Sequence, residues 1–296
     1  MTHTRRTSAV ATCLLIVSLG GAVATVRGLD RLRPLAGSDD VLYVPSPKAL
    51  RTMSLGYTGL LADIYWTRAV QYFGWRHKAG ATTYPLLAPL LEITTELDPH
   101  LLVAYQFGGT FLAQQPPEGA GEPQKAVELV RHGIRENPDD WHLYYQLGFI
   151  QAMELHDYLA AAQTFLRGSE IPGAHAWMRV LAANMAQHGG ETQTARFLWS
   201  RVYDNTEDPM IRANALRHLR ALQVDDDVQR LQALARGFAQ RTGRPPQSFD
   251  ELVAGGWLRR VPLDPLGHPY RLVGGQVYVQ DAQALPFIQY GKPAGQ

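Results

Sequence analysis

The chain has 296 residues, 46% hydrophobic and 19% charged, which is enough apolar surface for one extended array or two modest domains. Its formal net charge is +1 and no run of Lys or Arg exceeds two, so the electrostatic footprint of a DNA- or RNA-binding protein is excluded. The single cysteine, Cys13, permits no disulfide within the body and no thiol nucleophile beyond the first apolar stretch.

The N-terminal leader MTHTRR is short and basic, and 19 uncharged residues follow it, Ser8 to Val26. A helix of that length reaches roughly 28 Å at about 1.5 Å per residue, close to the thickness of a bilayer's hydrocarbon core. The pattern predicts an uncleaved signal anchor over residues 1–26, with a transmembrane helix at residues 8–26. A cleavable signal peptide is the competing reading, since Ala22-Val23-Ala24 fits a small-x-small site before Thr25. The length of the stretch, and Arg27, Arg31 and Arg33 behind it, favour retention. Arg5 and Arg6 precede the span while three Arg follow it, so charge gives no clean orientation. The expectation adopted is a single-pass, membrane-anchored protein with its body in the periplasm or otherwise outside the cytoplasm.

Residues 27–47 mix Pro, Gly, Ser and Asp with a short apolar VLYV and are expected as a linker. From Lys48 the pattern turns helical, with Leu55, Leu60, Ile64, Tyr65, Ala69, Tyr72 and Phe73 at helical spacing and Gly74 and Gly80 as stops. Asp63 and Arg68 are the charges in that apolar neighbourhood and are expected to satisfy each other or nearby helix ends. Further on, prolines recur after an acidic or polar residue at Pro99, Pro138, Pro172 and Pro209, with spacings of 39, 34 and 37. Ten residues after the first three stands a small residue: Gly109, Gly148 and Ala182. A second helical pattern then carries Ala followed four residues later by a bulky side chain: Ala126 and Val130, Ala161 and Phe165, Ala195 and Trp199. The small position predicts close approach of a first helix to a second.

The unit built on Trp141, Leu147, Gly148, Tyr158, Ala161, Phe165, Gly168 and Pro172 resembles a tetratricopeptide repeat. Three units in phase cover residues 99–209. A degenerate unit precedes them from about Ser54 to Asp98, and a weaker one follows to about Gln223, where Leu219 replaces the small residue. The resemblance implies a mostly α fold: a tetratricopeptide-type α-solenoid of helical hairpins over residues 48–223, with each hairpin burying its apolar face against the next. In such repeats the first helix of each pair lines a concave groove. Mapped onto this chain, that groove comprises Gln106, Thr110, His142, Tyr145, Phe149, Met153, Arg179 and Ala183, where Tyr and Arg would anchor a peptide or helix from a protein partner. The alternative is a groove filled in cis by capping segments or by the C-terminal region.

Residues 224–296 read as a small α+β appendix. Asp225 to Asp227 resemble an acidic helix start. Ser248 can cap a short helix with Glu251 at its third position, and YRLV-GG-QVYV alternates around a two-glycine turn, predicting a β-hairpin. The segment from Pro262 to Tyr270, P-x-D-P-x-G-x-P-Y, resembles the C-terminal signature of type II secretion pseudopilins and related pilin-like modules. The structural reading of its DPLGHPY is a rigid double turn, with Asp264 accepting backbone N–H bonds.

Ten histidines are present, but none makes H-E-x-x-H, and there is no G-x-S-x-G elbow, phosphate-cradling glycine loop or S-x-x-K. No catalytic, cofactor-binding or metal-ligating residue is predicted. The expectation is a non-catalytic, membrane-tethered scaffold that binds a protein or peptide in an envelope assembly. A structural subunit of a secretion or pilus-like complex is the first rival, and an exported enzyme with a non-motif site is the second.

Overall fold

The computed structural model describes residues 46–292 together with Val17, Ser18, Gly20 and Gly21. The described chain is mostly α-helical, with one two-stranded sheet near its C-terminus. The helices are α1 (Pro47–Met53), α2 (Thr58–Lys78), α3 (Leu87–Leu97), α4 (Leu102–Ala113), α5 (Pro123–Glu136) and α6 (Trp141–Phe149). A π-helical turn, Ile150–Glu154, extends α6. There follow α7 (Tyr158–Gly168), α8 (Trp177–His188), α9 (Thr192–Asn205), α10 (Pro209–Thr242) and α11 (Phe249–Ala254), then β1 (Arg271–Val273) and β2 (Gln276–Tyr278).

Local chemistry sets many of these starts. Pro47, Pro123 and Pro209 occupy the first helical turn, where a missing N–H costs nothing. Asp140, Asp157 and Asp208 each accept a backbone N–H from the helix they open. The principal helix contacts then join neighbours in sequence. Pairs form between α2 and α3, α4 and α5, α6 and α7, and α8 and α9, and successive pairs meet through α3–α4, α5–α6, α7–α8 and α9–α10.

The small positions do what their spacing predicts within two of the pairs. A Cβ on Gly109 would lie 2.8 Å from Val130, and one on Gly148 would lie 2.6 Å from Phe165, so only hydrogen fits at either. Ala182 and Trp199 are both fully buried in one cluster with Phe165 and Met178.

Beyond Pro209 the chain departs from expectation. The weaker hairpin to Gln223 and the helix start at Asp225 are both replaced by α10, a single 34-residue helix that runs through the boundary expected at residue 223. No Gly or Pro interrupts it until Gly237. Asp225 caps nothing in its own helix; its buried Oδ1 accepts the backbone N–H groups of Gln289 at 2.8 Å and Tyr290 at 2.9 Å. The second half of α10 thereby becomes the floor of the C-terminal core, where Val228, Leu231 and Phe238 pack with Leu252, Tyr270, Val277 and Ile288. Ser248 caps α11 through Glu251 N at 3.3 Å. The hairpin pairs Arg271 with Tyr278 and Val273 with Gln276 across Gly274 and Gly275, both at positive φ as a two-residue type I′ turn requires. Asp264 Oδ1 accepts from Leu266 N and His268 N, which builds the double turn.

His218 joins the two cores. Its ring lies 4.0 Å from Trp199 on one side and 3.9 Å from Phe287 on the other, nearly parallel to both. Trp199 Nε1 donates to Gln187 Oε1 at 3.0 Å, and His218 Nδ1 sits 2.8 Å from the same oxygen. Because that oxygen can only accept, the buried imidazole holds its proton on Nδ1. Burial, with a smaller contribution from His188, pushes its pKa down from 6.5 to about 4.

Two expectations are corrected. No helix among the described residues is long and apolar enough to cross a membrane, which overturns the transmembrane helix, the signal anchor and the membrane-anchored location. The long helices fail on charge: α2 carries Asp63, Arg68, Arg76 and Lys78, and α10 is dotted with Arg and Asp. The stretch at residues 8–26 and the linker to residue 45 lie outside the described residues, apart from the four positions named above, which include the poor helix formers Gly20 and Gly21. Asp63 and Arg68 are both exposed and do not pair; Arg68 lies over the Tyr65 ring at 5.5 Å.

Candidate functional site

A concavity with an apolar lining opens between α6 and the start of α8, with a volume of about 540 Å³. Its first wall is set by the α6 N-terminus. Asp140 Oδ1 accepts from His142 N at 2.8 Å and lies 2.9 Å from His142 Nδ1, which fixes that ring at the rim. Trp141 stacks on His142 at 3.8 Å, and Tyr145, one turn on, meets Trp141 edge to face at 6.2 Å. Phe149 backs Tyr145 at 4.7 Å and turns its edge toward Phe165 at 5.4 Å, so the wall is braced by the α6–α7 core.

The opposite wall comprises His175, Trp177, Met178 and Leu181. Trp177 N donates to His175 Nδ1 at 3.2 Å, ordering the loop that presents both rings. Met178 is fully buried and forms the floor, while Tyr145 and Trp177 remain 39% and 47% exposed. Large amphipathic rings left that open on facing walls offer contact area at low ordering cost. The lining holds no carboxylate, thiol or hydroxyl besides the Tyr145 phenol. Among the described residues no group of three or more His, Cys, Asp or Glu is placed to hold a metal ion.

The residues expected along the groove are distributed unevenly. His142 and Tyr145 line the concavity, with Phe149 half-buried behind them. Met153 is exposed on the π-helical turn. Gln106 and Thr110 are half-buried on α4, where the Thr110 hydroxyl donates to Gln106 O at 3.1 Å and accepts from Gln146 Nε2 at 2.8 Å. Arg179 is exposed on α8 beside a separate small pocket shared with Arg201 and Asn205. Ala183 is fully buried in the helical core.

The sequence reading placed Trp141 in the repeat pattern but not in the groove, and gave no role to His175, Trp177 or Leu181. The signal that could have found them was Trp177 itself, a large aromatic directly after the turn IPGAHA, where no partner helix yet exists to cover it. No family model matches this sequence, and no curated protein shows significant similarity to it.

Proposed function

We propose that this chain is a tetratricopeptide-type α-solenoid that acts as a non-catalytic scaffold, capturing an apolar or aromatic anchor of a protein or peptide partner in the α6–α8 concavity. One observation carries the reading: Tyr145 and Trp177 stand open on facing walls of an apolar hollow of about 540 Å³. That volume accepts one or two large side chains, and the rigid helical frame means that little ordering is required on the protein's side. Pairwise contacts between sequence neighbours, and the close approaches at Gly109 and Gly148, support the solenoid. The pilin-like resemblance of Pro262 to Tyr270 supports, by analogy, an envelope assembly as the partner's setting.

Selection of a displayed peptide library against the full chain tests the proposal. Enriched peptides should share an apolar or aromatic anchor, and Tyr145→Ala or Trp177→Ala should weaken each by about tenfold or more. A library that yields no enriched peptide, or binders indifferent to both substitutions, contradicts it.

A further inference from the structure

Opposite the aromatic concavity, across α6, lies a second pocket of about 350 Å³ between α5 and α7. His142 and Tyr145 face one side of α6, and at about 100° per residue Tyr144 and Leu147 face the other, beneath this pocket. Arg131 and Arg135 stand one turn apart on α5, and Arg167 faces them from α7 with Gln163 one turn before it. All three arginines are exposed, and none of their guanidinium groups makes an ion pair or hydrogen bond with another described residue. No carboxylate lines the pocket. Of the two acids on α5, Glu136 lies 3.8 Å from His132, and Glu128, one turn before Arg131, makes no ion pair and does not line the pocket. Like charges one helical turn apart repel, so the cluster opposes folding unless an anion compensates it.

A second observation comes from the pocket's inner wall. Gln151 is only 4% exposed and lines the pocket on the face of α6 that carries Tyr144 and Leu147, where the π-helical turn begins. Thr164 Oγ1 donates to Gln151 Oε1 at 2.7 Å, fixing the amide and leaving Nε2 as its outward donor. No acceptor among the described residues meets that Nε2, yet it is not sealed away from solvent. Three guanidinium forks and one preset amide supply more donors than a planar carboxylate can accept. They match a dianion with three terminal oxygens.

We propose that the α5–α7 pocket binds a phosphate monoester dianion, held by Arg131, Arg135 and Arg167 and oriented by Gln151. The group can come from a phosphorylated side chain of a polypeptide or from a small soluble ester. The site is separate from the aromatic concavity and does not depend on the reading of that face.

Isothermal titration of the full chain at low ionic strength tests this, with inorganic phosphate, phenyl phosphate, a capped phosphoserine and benzoate as probes. The phosphates should bind saturably, benzoate should bind at least about tenfold more weakly, and added salt should weaken the phosphates. Arg131→Gln and Arg167→Gln should each lower phosphate affinity about tenfold, while Trp177→Ala leaves it unchanged. Should either Gln variant fail to fold, Arg167→Lys keeps the charge without the fork and should still weaken binding. Tighter binding of phosphoserine than of phenyl phosphate identifies a polypeptide source, and the reverse order a soluble ester. Absence of saturable phosphate binding, benzoate binding as tightly as phenyl phosphate, or affinities indifferent to the arginine substitutions would overturn the proposal.

Discussion

At the scale of single residues, His218 is the group whose ionisation bears most directly on stability. Its folded pKa of about 4 lies below the 6.5 of a free imidazole because the charged form would be buried between two rings and beside His188. The unfolded chain therefore takes up the proton first. Above pH 6.5 the group is neutral in both states and costs nothing; as pH falls toward 4 the unfolded state gains, and the loss levels off below that. The gap between the folded and unfolded values corresponds to about 3 kcal/mol at most. Urea unfolding between pH 7 and pH 4 should show this decline, and His218→Phe, which keeps the stacked ring without the titration, should flatten it. A wild-type midpoint that does not move across that window would refute the assignment. Asp225 is also buried, and desolvation raises its pKa, opposed by the two N–H bonds it accepts. Removing that acceptor in Asp225→Ala strands the amides of Gln289 and Tyr290, an expected cost of about 2 kcal/mol in chemical denaturation.

At the scale of elements, the α6–α7 contact is the sharpest test of the packing. Gly148→Ala would drive a methyl group into the Phe165 ring, which is itself pinned by Phe149, and should cost about 1–3 kcal/mol by denaturant titration. Loss of less than about 0.5 kcal/mol would mean that the two helices can separate freely. Gly148 and Phe165 could be paired from spacing alone because both belong to the short-range pattern of one hairpin. The same holds for Gly109 with Val130, the Ser248 cap and the Gly274–Gly275 turn, each set by residues close together in the chain. What stayed hidden depends on distant partners. The run Asp225 to Asp227 has the local chemistry of a helix start, but in the fold Asp225 accepts the amides of Gln289 and Tyr290, more than sixty residues away, and α10 runs on through it. The candidate concavity was half legible: the repeat resemblance put His142 and Tyr145 on the groove side of α6, whereas Trp177 follows directly on a loop that no repeat pattern describes. Ala183 has the phase of a groove residue but lies fully buried in the helical core.

Across the whole described chain, α6 is the element on which the two proposed surfaces meet. One face carries the aromatic wall; the other, ending in the π-helical Gln151, supports the arginine pocket. The residues of these surfaces come from the stretch α5 to α8 and the loop before α8. The C-terminal core is tied in through His218 and Asp225 and contributes no residue to either surface. The most direct test of the scaffold reading is photo-cross-linking of a library-selected peptide that carries a benzophenone at its apolar anchor, with the adducts mapped by mass spectrometry. Adducts are expected on Trp141, Tyr145 and the segment from His175 to Leu181. Adducts confined to the C-terminal hairpin, or to the outer faces of α5 and α7, would contradict that reading.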